Sequence, residues 1–254
     1  MIVLVTNDDG IDSPGLDAIA TALENDGNEV WRVAPDGERS GTSHSLSLRD
    51  PIRCRQVGER SYTASGSPAD CVIVGLLGGI PVKPEVVVSG INIGPNLGTD
   101  IIYSGTAAAA RQATIMGVPG IAVSIHGFRP PFFFGPLCSF VVEHLSSFVS
   151  LWDPDHFINI NGPNSDRDVG TARVTVPARR YYDDMLESIQ SPSGDFWYFL
   201  AGKVAKTELE EGSDWHAVDA GFISLSPVEV TPTGTVHHAD YRRLFAQPKE
   251  NASR

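Results

Sequence analysis

Only three cysteines occur among the 254 residues, and Cys54, Cys71 and Cys138 form neither a CxxC pair nor any other metal-ligand spacing. An odd, scattered set fits reduced thiols and a cytoplasmic setting, and argues against a disulfide scaffold. Positive charge is scarce too: 19 Lys and Arg stand against 31 Asp and Glu, a formal net charge of −12. Such an acidic surface repels polyanions at long range, which speaks against a nucleic-acid partner or a membrane surface. A small phosphorylated ligand stays admissible if its site carries its own positive charge. No apolar run approaches the ~20 residues of a membrane span. The opening MIVLVT lacks the charged start and cleavage site of a secretory leader, and Asn7-Asp8-Asp9 interrupts it at once. The GxGxxG, GxxxxGKS/T and GxSxG signatures are missing as well, which removes support for dinucleotide, P-loop and α/β-hydrolase readings.

What is present is the composition of a folded chain. Hydrophobic residues make up 41%, with 25 Gly and 18 Pro, which excludes disorder and collagen-like repeats. A chain of this size buries about 70% of its unfolded surface and needs no disulfide or structural metal to hold a core. Strand-like and helix-like segments alternate along the first half. Residues 2–6, 29–34, 85–89, 120–125 and 157–161 read as buried strands, with β-like stretches near 52–57 and 62–64. Residues 14–26, 67–77, 105–117 and 136–149 read as helices; the first carries Leu16, Ile19, Ala20 and Leu23 at helical spacing and stops at Gly27. This order predicts an α/β fold, a mostly parallel sheet with helices on both faces. Beyond about residue 165 no helical period is evident, and residues 173–176, 197–200 and 222–225 read as antiparallel hairpins. The chain thus divides into an α/β core, 1–165, and a β-hairpin region with a C-terminal arm, 166–254, as one composite unit.

Ligands of open α/β sheets bind beyond the carboxyl ends of the strands. Three segments qualify, and all are rich in polar residues and glycine. Asn7-Asp8-Asp9-Gly10 follows the first strand: a turn at Gly10 lets Asp8 and Asp9 converge on one hard divalent ion, or else leaves them as a solvated turn capping the next helix. The thirteen-residue loop 35–47 holds Ser40, a candidate metal ligand or phosphate donor, with Arg39, Thr42, Ser43, His44 and Ser45 as candidate anion or nucleoside contacts. The third segment contributes Asn92, an uncharged oxygen at a strand end, and Asn96. It continues into Tyr103-Ser104-Gly105-Thr106, a helix start whose free N–H groups suit a phosphate or an ordinary hydroxyl cap.

These strings, in order, resemble the SurE family of survival proteins. The match runs through Val5–Ile11, Ala34-Pro35 with Arg39-Ser40-Gly41, Ser45-Leu46-Ser47-Leu48 and Gly66-Ser67-Pro68-Ala69-Asp70. It continues with Val88-Ser89-Gly90-Ile91-Asn92, Tyr103-Ser104-Gly105-Thr106, Asn159-Ile160-Asn161 and Asp219-Ala220-Gly221-Phe222. The resemblance implies a Rossmann-like core and one divalent ion per subunit, magnesium or manganese with calcium also accommodated, on Asp8, Asp9, Ser40 and Asn92. It implies hydrolysis of nucleoside 5′-monophosphates, with 3′-nucleotides and short polyphosphates as further substrates. On that reading Asp8 or Asp9 orients the attacking water, while Ser104, Gly105, Thr106 and Asn96 contact phosphate. It also implies a homodimer, or a tetramer, in which residues after about 228 cross to the partner. Departures are Gln112, where an acidic residue is expected, Gly162, and the aromatic, Pro-rich segment 128–135. The rival of another class is a non-catalytic nucleotide-binding stress sensor using the same pocket.

Overall fold

The computed structural model describes residues 1–167, 169, 171–207 and 209–231. Its first strand, β1 (Ile2–Thr6), is buried on both faces, as its unbroken Val-Leu-Val run requires, and is followed by α1 (Pro14–Asn25) and β2 (Glu29–Pro35). Then come β3 (Cys54–Gly58), β4 (Ser61–Ala64), α2 (Pro68–Leu76), β5 (Val86–Ile93), a 3-10 turn (Gly98–Ile102) and α3 (Gly105–Ile115). The second half holds β6 (Gly120–His126), α4 (Gly135–Leu151), β7 (His156–Pro163), β8 (Ala172–Val174), β9 (Arg180–Gln190), β10 (Phe196–Thr207), α5 (Asp214–Asp219) and β11 (Ile223–Glu229).

Nine strands form one sheet in the order β3-β4-β2-β1-β5-β6-β7-β11-β8. The pairs from β4 through β2, β1, β5 and β6 to β7 are all parallel. Leu16, Ile19 and Leu23 of α1 pack with Val141 and Leu145 of α4 on one face; Cys71 and Val72 of α2 pack with Ala109 and Ala113 of α3 on the other. The chain therefore leaves β1 toward one face and β5 toward the opposite face. The crevice between these neighbouring strand ends is the topological switch point where open α/β sheets hold ligands.

Local chemistry accounts for the helix ends. Ser67 and Asp70 form a reciprocal capping box at the start of α2, and Gly27 takes φ +84° just after α1. The alanines of α3 let it lie almost on the sheet: a Cβ at Gly120 would stand 1.9 Å from the Ala110 carbonyl oxygen. Gly162 serves the same end on the other face, since a Cβ there would meet Leu137 Cδ2 at 2.7 Å.

The second half differs from the expectation of hairpins alone. β9 and β10 do form a separate antiparallel pair. β11, however, adds to the main sheet antiparallel to β7, and β8 pairs parallel to β11. The six-residue α5, capped by Ser213, was invisible to periodicity because it is less than two turns long. β5 also runs on past the expected end at Ser89, through Gly90 at φ +136°. Most of the predicted C-terminal arm, from residue 232 onward, lies outside the described residues. Among the described residues, no helix is long and apolar enough to cross a membrane.

The near contact of α3 with β6 yields a stability test. Gly120→Ala should lower the urea-unfolding free energy by about 1–3 kcal/mol through overpacking. Gly135→Ala, at a position with nothing within 4 Å of the added carbon, should leave it unchanged or raise it by up to ~1 kcal/mol.

Candidate active site

The turn after β1 is closed by Asn7. Its side-chain amide donates to the Gly10 carbonyl at 2.8 Å, and the Gly10 N–H donates back to Asn7 Oδ1 at 3.1 Å. Gly10 sits at φ +100° with Gly37 backbone against it, a place that a side chain would strain. This turn presents Asp8 and Asp9 as immediate neighbours at the strand end.

Asp8 is 4% exposed, and burial holds its carboxyl above the usual range. The opposing pull comes first from the Thr106 hydroxyl, which donates to Asp8 Oδ1 in a short hydrogen bond, and then from backbone N–H groups. The Asp8 carbonyl accepts from the Arg39 N–H at 2.7 Å, tying the 35–47 loop to β1. Asp9 is pushed up to about 6 by burial and then by the charge of Asp8; the Ile93 N–H, 3.4 Å from its Oδ2, counters weakly. Among the described residues no Lys, Arg or His forms an ion pair with either carboxylate.

A cleft of about 440 Å³ opens beside Asp8. Ser40, Asn92, Asn96 and Ser104 line it, so all three expected segments bring residues to one place. Asp9 faces an adjoining hollow of about 260 Å³, with Ile93 as the shared wall. Asn92 donates its amide to the Gly94 carbonyl at 2.8 Å, and its oxygen accepts no hydrogen bond from a described residue. Ser40 donates to Glu38 Oε1 at 3.0 Å and keeps its lone pairs. Among the described residues there is no cluster of three or more His, Cys, Asp or Glu side chains fit for a metal. Any cation held here would thus combine two carboxylates with neutral hard oxygens.

Asn96 is clamped from three sides. Its N–H donates to Asn161 Oδ1 at 2.8 Å, its carbonyl accepts from both Asn159 and Asn161, and its amide donates to Ser124 Oγ at 2.8 Å. Ser104 caps α3 by accepting the Ala107 N–H at 3.0 Å. Thr106 is placed differently from a phosphate contact: it is fully buried and its hydroxyl is engaged by Asp8. Gly105 is the point where α3 touches Asp8, since a Cβ there would lie 2.9 Å from Asp8 Cβ.

The 35–47 loop is stapled rather than free. Arg39 pairs with Asp36 at 2.8 Å, Thr42 donates to the Arg39 carbonyl, Ser43 donates to the Ile102 carbonyl, and His44 meets Gln112 at 2.8 Å. The Ser45 carbonyl accepts from Ser67, and Asp70 accepts from both the N–H and hydroxyl of Ser47. The expected anion contacts Arg39 and His44 therefore serve the loop's shape. Sequence reasoning missed Asp100, Tyr182, Asp184 and Leu200, which also line the cleft. The last three come from the β9–β10 hairpin, and nothing local in their sequence points to a distant strand end.

The family profile described as Survival protein SurE matches residues 3–184. Proteins named 5′-nucleotidase SurE are similar along most of the chain. That of Geotalea daltonii is 37% identical over 92% of this chain and 94% of its own. That of Desulfitobacterium hafniense is 37% identical over 99% and 100%, and that of Kosmotoga olearia 39% identical over 90% and 92%. The crystal structure of the SurE protein from Aquifex aeolicus superposes with a TM-score of 0.83 at 34% identity, covering 96% of this chain and all of the other. With the aspartate turn, the clamped Asn96 and the capped start of α3 gathered at one sheet end, the chain belongs to the SurE family.

Proposed function

We propose that the cleft is the active site of a divalent-metal-dependent phosphomonoesterase acting on nucleoside 5′-monophosphates. The names of the relatives support the substrate class. One observation carries the metal dependence: at the phosphoryl end of the cleft Asp8, with Asp9 beside it, has no cationic partner, and the described residues lining the cleft include no Lys or Arg. A phosphate dianion entering at that end meets like charge and no compensating cation. It is held only if a bound cation reverses the local sign, aided by the positive end of the α3 dipole.

The donor set fits that cation. Asp8 in the cleft and Asp9 in the adjoining hollow supply two carboxylates without cationic partners, and Ser40 and Asn92 supply neutral oxygens on the cleft wall. Hard oxygens of this kind suit magnesium or manganese. When bound there, the ion neutralises phosphoryl charge and lowers the pKa of a coordinated water. Thr106 and the first N–H groups of α3 fix the orientation of Asp8, whereas Ser104, on the cleft wall, receives a phosphoryl oxygen. Asn96 is positioned to add an amide N–H beyond the one given to Ser124. Asp8, which faces the cleft directly, is better placed than Asp9 to orient the attacking water.

Phosphate release from a panel of nucleoside monophosphates should be measurable with magnesium or manganese, vanish in excess chelator and return on adding metal. Asp8→Asn should lower kcat on the order of 10²-fold or more with the fold intact by circular dichroism. Full turnover in chelator would remove the metal from the reading, and nucleotide binding without turnover would favour the sensor.

The α3 start gives a second test. Gly105→Ala pushes a carbon against Asp8 and Pro68, and Thr106→Val removes the donor on Asp8. Both should lower kcat and weaken inhibition by vanadate. Unchanged inhibition in both would move the phosphoryl site elsewhere.

The assembly proposed is a homodimer that exchanges the C-terminal arm. β11 already spends its edges on β7 and β8, so an arm beyond Thr231 must find another docking place. Light scattering should give a dimer for the full chain and a smaller species for a chain ending at Thr231, which leaves β11 whole. A monomeric full chain would contradict the dimer itself, whereas a dimer surviving truncation would contradict only the role of the arm.

A further inference from the structure

The phosphoryl end accounts for only part of the cleft. Its remaining wall is built from Tyr103, which precedes α3, from Tyr182 and Asp184 of β9, and from Leu200 of β10. The Tyr103 and Tyr182 rings meet edge to face with centroids 6.5 Å apart. Asp184 projects beside the strand without a hydrogen bond or ion pair to any described residue. Its place depends on Gly202, its partner across the hairpin: a Cβ at Gly202 would stand 2.7 Å from Asp184 Oδ1. Strand alternation puts Arg180, Tyr182 and Asp184 on one face of β9.

This wall is anchored. Arg180 pairs with Asp100 in the 3-10 turn and lies 4.3 Å from the Trp215 ring centroid. Its N–H donates to Thr99 Oγ1 at 3.0 Å. The buried Asp214 accepts from the Gly98 N–H at 2.6 Å and the Ala178 N–H at 2.8 Å, joining the turn to the foot of the hairpin. The hairpin's near end is therefore fixed relative to Asn96 and Ser104.

Resting on the phosphomonoesterase reading, we infer that the β9–β10 hairpin selects the nucleoside portion of the substrate. Tyr103 and Tyr182 offer flat apolar faces to the base, and Asp184 accepts from two neighbouring donors. Those donors are the vicinal hydroxyls of the ribose or the adjacent N–H groups of a guanine edge. An acceptor-only group at this position adds nothing to phosphate affinity, so its contribution falls on the leaving group alone.

Full-length wild type, Asp184→Ala and Tyr182→Ala should be compared on ribonucleoside 5′-monophosphates, their 2′-deoxy forms, the guanosine and inosine pair, and p-nitrophenyl phosphate. Direct calorimetric binding of each nucleotide should be measured alongside turnover. Both residues are exposed, and circular dichroism checks the fold. Each substitution should raise KM and Kd for nucleotides about tenfold, with kcat within about twofold and p-nitrophenyl phosphate kinetics unchanged. A loss confined to ribose over deoxyribose assigns Asp184 to the hydroxyl pair; one confined to guanosine over inosine assigns it to the base. Unchanged nucleotide KM and Kd in both variants would overturn the inference, as would equal losses on p-nitrophenyl phosphate. A wild type that binds nucleotides without hydrolysing them defeats the enzymatic reading, while the Kd ratios still decide recognition.

Discussion

Burying Asp8 beside Asp9 costs hydration that no described cationic side chain returns, and much of the sheet's carboxyl end is arranged around that cost. Two adjacent carboxylates in water stay ionised with little penalty. Here burial pushes both upward, Asp9 to about 6. The protein supplies neutral donors in place of a counter-ion: the Thr106 hydroxyl and nearby N–H groups on Asp8, and the Ile93 N–H on Asp9. These hold the geometry but leave the net charge in place. A pair kept ionisable, oriented and uncompensated is an electrostatic demand for an external cation.

The parallel sheet makes such precision inexpensive. β1 and β5 are adjacent and parallel, so their ends put Asp8 and Asn92 on the same rim, and the crossover to α3 brings a helix N-terminus down on it. Two further strand ends, β6 and β7, send Ser124, Asn159 and Asn161 to clamp Asn96. A loop residue held by three strand-borne side chains has almost the rigidity of the sheet itself. On the proposed reading, groups positioned this way need little reorganisation when a substrate arrives.

Much of this was legible in the sequence because the signals are local. A buried strand followed by Asn-Asp-Asp-Gly, a Ser-Pro capping box and a hydroxyl before an alanine helix each state their geometry within a few residues. The site's outer wall was not legible. Asp184 and Leu200 reach the cleft only because Arg180, Asp100 and Asp214 fasten the hairpin to the 3-10 turn, across 80 or more residues. Thr106 was misplaced for a related reason: a hydroxyl at a helix start suits a ligand and a buried carboxylate equally well, and only the approach of β1 to α3 decides for Asp8. The internal role of the 35–47 side chains was not legible because their partners, Asp70, Ile102 and Gln112, lie in other elements.

On the proposed reading, the paired arginines near the cleft let an acidic protein hold a phosphate site without losing selectivity. Arg39 faces Asp36, Arg53 faces the same carboxylate, and Arg180 faces Asp100. Each neutralises an acidic neighbour on the rim, and none projects a free guanidinium among the cleft's lining residues. A cleft lined with unpaired arginines would attract any polyanion, including nucleic acid, with an affinity set mainly by charge. Here the long-range field stays repulsive, at a formal net charge of −12, and the proposed cation would confine attraction to the Asp8 rim. Affinity is then conferred on a ligand small enough to bring one phosphoryl group to that rim. On the inference proposed for the hairpin, the remaining choice among such ligands passes to the uncharged rings and the single carboxylate of that wall.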